Sequence, residues 1–453
     1  MSRCCDEFSR RVVAGEGLRA IEPGMPTPAG TGMSRRLFVA RSLGLALTVY
    51  GAGRLGGFAG GGVFDEGIAN AAVGAGGRVL VSVFLPGGAD GMSMLYPAGD
   101  PLYKKLRPSL ALSGGQAFTE DPSLFWHPSL SPLAQLHAEG KVTTLPAIGY
   151  DHPDQSHFTS RHYWEVGAVL TDLQTGWMGR YLDEVGVADN PLQGLSMTGQ
   201  LEPTLATARV PVAAINGPDQ YTFNASNVWG SVENRMLDAI GWLGETHQTD
   251  PAMKTAAAVS AQSDQLRRQL LPFADKTKLV SPVPYPQTTD SFPQHLAGLA
   301  AMIAANLPMR CVALEASGEY DTHADEGASL TTALSLTAQS LFAFQRDLEA
   351  RGVADRVLTL VWTEFGRRAQ ENGSGGTDHG AAGSAFVIGT RAAGGMVGEF
   401  PGLAHGLDAN GNLKPTSDFR GVYASLLEQW LRFDAARIIP GVDKFARPKL
   451  VRA

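Results

Sequence analysis

Five short runs of apolar, largely β-branched residues punctuate this chain, and they constrain its fold more than any other feature. The runs are residues 78–85, 142–149, 310–315, 356–363 and 384–389. Three further segments carry apolar residues at helical spacing, namely residues 291–307, 329–351 and 419–432. Runs that are apolar throughout are typical of strands buried on both faces of a parallel sheet. Their alternation with helices predicts an α/β fold, a doubly wound, mainly parallel sheet with helices on both faces.

Residues 1–71 are predicted to be a leader and a twin-arginine signal peptide. Arg35 and Arg36 stand side by side before the apolar stretch 42–53. That stretch is shorter than the roughly 20 residues needed to span a bilayer. Ala-Asn-Ala at 69–71 is a small-x-small cleavage site. A short apolar stretch with a basic flank and a cleavage site indicates a signal peptide. The alternative is an ordinary buried helix with two chance arginines.

The polar leader before Met33 has no evident pattern, so Met33 is a candidate for the true start. Cys4 and Cys5 lie in this leader, which leaves Cys311 alone in the mature chain. We therefore expect no internal disulfide. Twin-arginine export, as generally understood, carries folded proteins that often hold a cofactor already. The signal thus predicts a periplasmic or secreted protein, the export machinery as a partner, and a metal or cofactor site.

The mature part, residues 72–453, is predicted to be one large α/β domain. Without residues 1–71 the chain has 29 basic and 38 acidic residues, a net charge of −9. This balance argues against a nucleic-acid partner, because binding there depends on neutralising phosphates. No later stretch is apolar enough to anchor the protein in a membrane after cleavage. Residues 185–285 are richer in Pro, Gln, Asn and Ser, which suggests a cap or insertion beside the sheet.

Polar side chains gather where the predicted strands end. Asp90 follows the first run, Asp321 and His323 follow the third, Glu364 follows the fourth, and Asp378 and His379 precede the fifth. Ligand sites of open α/β sheets lie outside the carboxyl ends of the strands. Carboxylate and imidazole donors suit Zn, Mn or a similar divalent ion. The group predicts a metal or anion site, although each residue taken alone is more often a helix or turn cap or a satisfied polar group.

A second dense cluster, residues 151–162, follows the 142–149 run. Ser156 stands at a predicted helix start, where a hydroxyl beside a metal is a candidate nucleophile toward a phosphoryl or sulfuryl centre. The alternative is that Ser156 is an ordinary helix N-cap. His157 beside it is a further catalytic candidate. Arg161 can make bidentate contacts to a tetraoxyanion, as can the Arg367-Arg368 pair, unless these arginines are surface residues.

The order of motifs along the chain resembles a large bacterial family. The motifs are FLPGGADGM, SHF followed by WE-x-G, YDTHA, TEFGRR, NGSGGTDHG and SDFRGVYA. The family consists of exported twin-arginine proteins known only as a domain of unknown function, and it is similar to the alkaline phosphatase and sulfatase superfamily. The resemblance covers about residues 78–440. It implies an alkaline-phosphatase-like fold and metal-assisted hydrolysis of phosphate or sulfate esters.

The resemblance also implies roles for individual residues. Asp90 corresponds to a metal-binding aspartate after the first strand, and Ser156 to the nucleophile, with Thr159 and Ser160 as alternatives. Asp321, His323 and His379 resemble further metal ligands. Two departures stand out. The spacing Asp321-x-His323 is narrower than the usual metal pair, and Phe365 stands where the superfamily has a histidine ligand. These departures imply one ion instead of two, or none. The sulfatase signature, in which Cys or Ser precedes Pro-Ser-Arg, is absent.

Two functions remain open from the sequence. The first is an exported metal-assisted hydrolase that acts on a small ester or an envelope polymer. Ser156 and the retained carboxylates favour it. The second is a non-catalytic binding or assembly protein of the cell envelope on the same fold. The missing donor at Phe365 favours this alternative.

Overall fold

The computed structural model describes residues 49–50, 77–221, 230–246 and 248–452. The predicted leader and signal peptide lie outside the described residues except for Val49 and Tyr50. The strands are β1 (Val49–Tyr50), β2 (Val79–Phe84), β3 (Leu95–Tyr96), β4 (Phe125–Trp126), β5 (Val142–Gly149), β6 (Gly194–Ser196), β7 (Val212–Ala214), β8 (Cys311–Glu315), β9 (Val357–Trp362), β10 (Arg367–Glu371), β11 (Thr377–His379), β12 (Gly383–Ile388), β13 (Gly395–Met396) and β14 (Ser417–Asp418).

Ten helices accompany these strands in the described ranges. They are α1 (Gly91–Met94), α2 (Pro101–Leu106), α3 (Ser131–Ala138), α4 (His157–Val166), α5 (Trp177–Val185), α6 (Ser231–Gly244), α7 (Pro251–Leu270), α8 (Phe292–Ala304), α9 (Glu326–Ala350) and α10 (Phe419–Ser425). A π-helical turn, Leu426–Trp430, continues α10. Short 3-10 turns lie at Pro128–Leu130, Pro191–Gln193, Pro203–Leu205, Leu271–Ala274, Lys276–Leu279, Ala354–Arg356, Ala435–Arg437 and Val442–Lys444.

One ten-stranded sheet forms the centre of the described structure. Its order is β1-β7-β6-β8-β2-β9-β12-β5-β13, and β14 also pairs with β5. The pairings of β2 with β8 and β9 are parallel, whereas β12 runs antiparallel to both β9 and β5. The predicted doubly wound, mostly parallel α/β sheet is confirmed. The chain enters β12 from the short β10–β11 hairpin instead of a crossover helix, and this explains the reversed direction of β12.

Helices cover both faces of the sheet, as the alternation of β2 shows. Val81 and Val83 point into a core shared with Leu299 of α8 and Leu341 of α9. Leu80 and Phe84 point to the opposite face, into a core that contains Trp164 and Trp177. Successive side chains of a strand face opposite sides. A strand with apolar side chains on both faces therefore needs a layer of helices on each face of the sheet.

The range 185–285, in which a cap was predicted, contributes to the main sheet as well as to a helix pair. Strand β6 pairs with β8 and with β7, so both strands extend the central sheet. Helices α6 and α7 pack against each other beyond them. In the part of the chain that is described, no helix combines the length and apolar character needed to cross a membrane.

The strands that lead to the polar residues all end at one edge of the sheet. Phe84 at the end of β2 is aligned with Glu315 of β8 and with Trp362 of β9. Strand β5 runs in the same direction, because β12 is antiparallel to both β5 and β9. The loops that follow β2, β5, β8 and β9 therefore meet at this edge.

Candidate metal centre

Three imidazoles and one carboxylate converge at this edge. His157 is the first residue of α4, Asp321 and His323 lie in the loop after β8, and His379 ends β11. His157 Nε2 lies 3.5 Å from Asp321 Oδ2. His323 Nε2 and His379 Nε2 lie 3.1 and 3.4 Å from Asp321 Oδ1 and 2.9 Å from each other. Donor atoms of His157, Asp321 and His379 all lie within 4.8 Å of one another.

These separations fit the coordination of a divalent metal. Bonds of about 2.0–2.1 Å to a tetrahedral zinc ion place neighbouring ligand atoms about 3.3 Å apart. The measured distances of 2.9–3.5 Å lie around that value. His157 Nε2 is buried, and its contact with Asp321 Oδ2, at 3.5 Å, is longer than an ordinary hydrogen bond. An ion at the centre would satisfy this buried nitrogen better than the long contact does.

The second nitrogen of each imidazole faces an oxygen. His157 Nδ1 lies 2.8 Å from Glu364 Oε1, and His379 Nδ1 donates to the carbonyl oxygen of Gln155 at 2.8 Å. His323 Nδ1 is held more loosely, 3.6 Å from Asp378 Oδ1. Oxygen partners of this kind fix the ring orientation and turn the Nε2 lone pair toward the ion in metal-binding histidines. Glu364 and Asp378 thus lie outside the group of candidate ligands, and Glu364 contacts the far side of the His157 ring.

Glu364 also anchors the loop after β2. Its buried carboxylate accepts hydrogen bonds from the backbone N–H groups of Gly87 and Gly88, each at 3.0 Å. Gly88 has φ of +67°, and a Cβ there would overlap the ring of Phe365. Burial would raise the pKa of Glu364, but the hydrogen bond from His157, the charge of that ring and the backbone N–H donors together outweigh burial and lower that pKa. The carboxylate thus stays charged and directs the His157 ring.

Asp321 is held between the imidazoles and a buried arginine. Arg367 is fully buried and donates to the Asp321 carboxylate, to Gly88 O at 2.8 Å and to Thr377 O at 2.9 Å. Burial would raise the pKa of Asp321, yet hydrogen bonds from the histidines and Arg367 hold it well below its usual range. Arg367 therefore has a supporting role at the centre and is not a free anion-binding group.

The imidazoles themselves differ in charge preference. Burial disfavours the charged ring of His157, but the carboxylates of Asp321 and Glu364 outweigh burial and raise its pKa to about 9. Burial lowers the pKa of His379, and the positive charges of His157 and Arg367 add to this, whereas Asp321 and the Gln155 carbonyl oppose it. The site concentrates negative charge beside His157, which favours a cation there.

The structure does not bring Asp90 into this cluster. Its carboxylate forms a buried ion pair with Arg107, with Oδ1 2.9 Å from Nη2, and caps α1 by accepting from Ser93 N at 3.0 Å. Burial opposes ionisation, but Arg107 lowers the pKa of Asp90 to about 2. Burial and the Asp90 charge raise the pKa of the neighbouring Glu326 to about 8. A guanidinium thus neutralises Asp90 in place of a metal ion.

Ser156 lies at the rim of the centre and caps α4. Its hydroxyl accepts from Thr159 N at 3.4 Å, and its own N–H donates to Asp154 Oδ1 at 2.8 Å. The residues on either side of it, Gln155 and His157, both contact the cluster. The hydroxyl of Ser160 is buried and donates to the carbonyl of Glu364 at 2.6 Å. Thr159 is buried as well, which leaves Ser156 as the accessible hydroxyl of the three.

Arg161 is engaged by three glutamates. Its guanidinium pairs with Glu165 at 2.6 Å, with Glu202 at 3.2 Å and with Glu315 at 2.8 Å. It also lies over the ring of Phe84 at 4.4 Å from the centroid. These contacts tie α4 to the ends of β2 and β8.

Comparison with known proteins now identifies the family. Residues 127–442, well over half of the chain, match the family described as "Protein of unknown function (DUF1501)". The chain belongs to this family. No curated protein matches the DUF1501 chain.

Three solved structures illustrate what the DUF1501 fold is similar to. A protein in the alkaline phosphatase superfamily from Vibrio parahaemolyticus is 9% identical, with 81% of this chain and 71% of that chain covered and a TM-score of 0.34. The PsFucS1 sulfatase from Pseudoalteromonas sp. is 10% identical, with coverage of 83% and 74% and a TM-score of 0.33. The lipoteichoic acid synthase LtaP from Listeria monocytogenes is 10% identical, with coverage of 81% and 75% and a TM-score of 0.27. At this level of similarity, function has to be argued from the site of the DUF1501 chain itself.

His157 is the ligand candidate that sequence reasoning assigned to another role. The residue was grouped with Ser156 as catalytic, whereas its ring packs at 4.9 Å from the ring of Phe365 and faces Asp321. An imidazole from α4 thus stands beside the phenylalanine that cannot donate to a metal. The available signal was the position of His157 directly after a predicted helix cap, at the same strand edge as the other donors.

Proposed function

We propose that this protein is an exported, metal-dependent hydrolase of phosphate or sulfate esters. One observation carries the proposal: Nε2 of His157 and of His379 converge on Asp321 while each Nδ1 is held by an oxygen. A bound divalent ion would act as a Lewis acid toward the ester oxygen. Imidazole and carboxylate donors favour Zn, with Mn as the alternative. Export is part of the proposal because residues 34–71 have the arrangement of a twin-arginine signal.

The proposal requires one ion. Among the described residues, a single group of three or more potential ligands is close enough to share an ion. The Asp90 carboxylate is already neutralised by Arg107. Phe365 offers no donor atom, and its ring packs against His157 and His379.

Ser156 is the proposed nucleophile. Its hydroxyl has one long hydrogen bond, to Thr159 N at 3.4 Å, and is accessible at the rim of the centre. It stands at the N-terminus of α4, a helix of ten residues, where the helix dipole favours the anionic ester and the developing negative charge. In the reaction its oxygen would bond to phosphorus or sulfur while the ester bond to the alcohol breaks, and the serine proton would pass to the leaving alcohol. Water would then cleave the serine ester, which releases phosphate or sulfate and regenerates the hydroxyl. Arg161, held by three glutamates, would position α4 instead of clamping the substrate.

A specific observation favours the second function, a non-catalytic binding or assembly protein. If His323 joins His157, Asp321 and His379, four protein donors surround the ion. Structural zinc sites are closed in this way, whereas catalytic sites keep one position for substrate. His323 has the weakest support, since its Nδ1 partner is 3.6 Å away. Hydrolysis requires this fourth ligand to yield to substrate.

Metal analysis and turnover of the exported protein separate the two functions. We expect about one Zn or Mn ion per chain in the wild type, strong loss of the ion in Asp321→Asn and His379→Ala, and no loss in the control His405→Ala. His405 is an exposed histidine outside the centre. Ser156→Ala is expected to keep the ion and to lose turnover of aryl phosphates or aryl sulfates by at least roughly three orders of magnitude, since the loss of a nucleophilic serine can reach about 10⁶-fold.

Three outcomes would change the conclusion. If the protein remains metal-free after incubation with Zn and Mn, both the proposed metal centre and the proposed hydrolase are contradicted. A bound ion with no ester turnover would favour the non-catalytic protein. If turnover persists in Ser156→Ala, the nucleophile is another group, such as water.

A further inference from the structure

A cavity opens at the same edge of the sheet as the candidate metal centre. It has a volume of about 700 Å³ and is lined by Tyr150 and Asp151 after β5, by Asp418 and Arg420 around the start of α10, and by Lys444 and Arg447 near the C-terminus. We call it the β5 cleft. We infer that the β5 cleft binds an anionic segment of an extended substrate, a polymer that carries sulfate or phosphate groups. The inference rests on the proposed ester hydrolysis for its role, but binding at the cleft does not depend on it.

One loop joins the β5 cleft to the metal centre. Tyr150 forms part of the cleft wall, and its hydroxyl accepts from Asp154 N at 3.0 Å and donates to Ser160 Oγ at 2.9 Å. A few residues on, the carbonyl of Gln155 accepts from His379. Five residues of fully extended chain span at most about 17 Å, so the Cα atoms of Asp151 and Ser156 are no farther apart than that. A polymer with one ester group at Ser156 can therefore reach the cleft.

The walls of the cleft offer cationic groups with donors to spare. Lys444 is exposed, and no acidic side chain in the described parts of the chain forms an ion pair with its ammonium group. Arg420 directs Nε and Nη2 to Asp418 at 2.9 and 2.7 Å and lies 4.0 Å over the ring of Phe445. This fork leaves Nη1 of Arg420 for a ligand. Guanidinium and ammonium groups are the usual partners of sulfate and phosphate groups.

The acidic groups around the cleft do not cancel this preference at Lys444. Asp418 is engaged twice, by Arg420 and as the N-cap of α10. Glu428 accepts from Arg447 Nε at 3.2 Å. Asp151 stands exposed in the wall formed by the loop after β5. Among the described residues, no acidic side chain pairs with the ammonium group of Lys444. The test therefore depends on Lys444.

The size of the cavity favours part of a polymer over a small monoester. Cavities of about 300–1,000 Å³ accommodate ligands of several rings. A small ester held at Ser156 would leave the β5 cleft empty. A chain with charged groups at intervals would fill both places, with one group at the metal centre and another near Lys444.

Binding of modified dextrans to the exported, full mature chain tests the inference. Sulfated, phosphorylated and unmodified dextran oligomers of equal length are titrated calorimetrically against wild type, Lys444→Glu and the matched control Lys449→Glu. Lys449 is exposed and does not line the cleft. We expect one or both anionic dextrans to bind and the unmodified one not to bind. We expect Lys444→Glu to weaken that binding by about fivefold or more, since it replaces an exposed attraction by a repulsion, and Lys449→Glu to leave it unchanged.

The outcomes separate this inference from the proposed function. Tighter binding of the sulfated or of the phosphorylated oligomer would identify the ester class, and equal binding would support recognition of either anion. Equal binding of unmodified dextran, no binding of any dextran, or equal weakening by Lys449→Glu would overturn the inference. Metal content and turnover of a small aryl ester are measured on the same variants and should not change in Lys444→Glu. Failure of the anionic dextrans to bind a wild-type protein that holds its ion and turns over a small aryl ester would refute the cleft and leave the proposed hydrolase standing.

Discussion

The carboxylate of Glu364 joins His157 of the candidate metal centre to the loop after β2. It lies 2.8 Å from His157 Nδ1 and accepts from two consecutive backbone amides, Gly87 and Gly88. The negative charge of Glu364 therefore turns the His157 ring so that Nε2 faces Asp321. A residue that the sequence predicts to lie among the metal ligands thus orients His157, a candidate ligand, in the structure.

Glu364→Gln should weaken metal binding without abolishing it. The amide keeps the shape of the side chain but loses the charge that directs His157, and loss of such a partner typically costs about 10–100-fold in metal affinity. Competition with a chromophoric chelator measures the affinity. Glu399→Gln, an exposed glutamate away from the centre, serves as the control. Equal affinity of Glu364→Gln and wild type would mean that His157 does not depend on Glu364.

Gly88→Ala should destabilise the protein by about 3 kcal/mol or more, the combined effect of left-handed strain and overpacking. Gly88 has φ of +67°, and a Cβ at this position would overlap the Phe365 ring. Urea unfolding measures the loss of stability. Gly373→Ala is the control, since its Cβ would meet nothing within 4 Å and its φ is not left-handed. A loss no larger than that of the control would show that the loop after β2 adjusts freely.

Much of the fold was predictable because each main strand is a continuous apolar run. Strands β2, β5, β8, β9 and β12 lie within two residues of the predicted runs. Strands β6 and β7 were missed, because three residues such as Gly194–Ser196 carry no period that a sequence pattern can reveal. The direction of β12 depends on the β10–β11 hairpin, and no apolar run in the sequence predicts that hairpin.

The sequence predicts which residues of the candidate site lie at strand ends, but not which side chains contact one another there. Asp321, His323 and His379 were expected at one edge of the sheet, and the structure brings them together there. Asp90 was expected in the same group, but it pairs with the guanidinium of Arg107, the C-cap residue of α2. That contact depends on tertiary packing, which residue spacing does not show.

Asp90→Asn should lower stability and leave the metal content unchanged. Removing one partner of a buried ion pair typically costs about 3–5 kcal/mol, because the other charge stays buried without compensation. The Asp90–Arg107 pair is fully buried. Urea unfolding and metal analysis of the same sample distinguish the two effects, with Asp100→Asn, an aspartate that caps α2, as the control. Loss of the ion in a folded Asp90→Asn protein would mean that Asp90 does contribute to metal binding.

The Arg161 cluster should make stability depend on pH between about 5 and 8. Burial raises the pKa of Glu202 to about 7, with Glu165 and Glu315 adding negative charge and Arg161 opposing them. Since the pKa of an unfolded glutamate is about 4.3, the folded state binds the proton more tightly than the unfolded state. The stability that this proton contributes is therefore complete below pH 4.3 and is lost as the pH rises through 7.

Glu202→Gln removes this titration, because an amide has no proton to lose in this range. The free energy of unfolding of the wild type should fall more steeply from pH 5 to pH 8 than that of Glu202→Gln. Urea unfolding at several pH values gives both slopes, and Glu245→Gln, an exposed glutamate, should retain the wild-type slope. Parallel slopes for the wild type and Glu202→Gln would mean that Glu202 is already ionised at pH 5 and that Arg161 neutralises it as a charged partner.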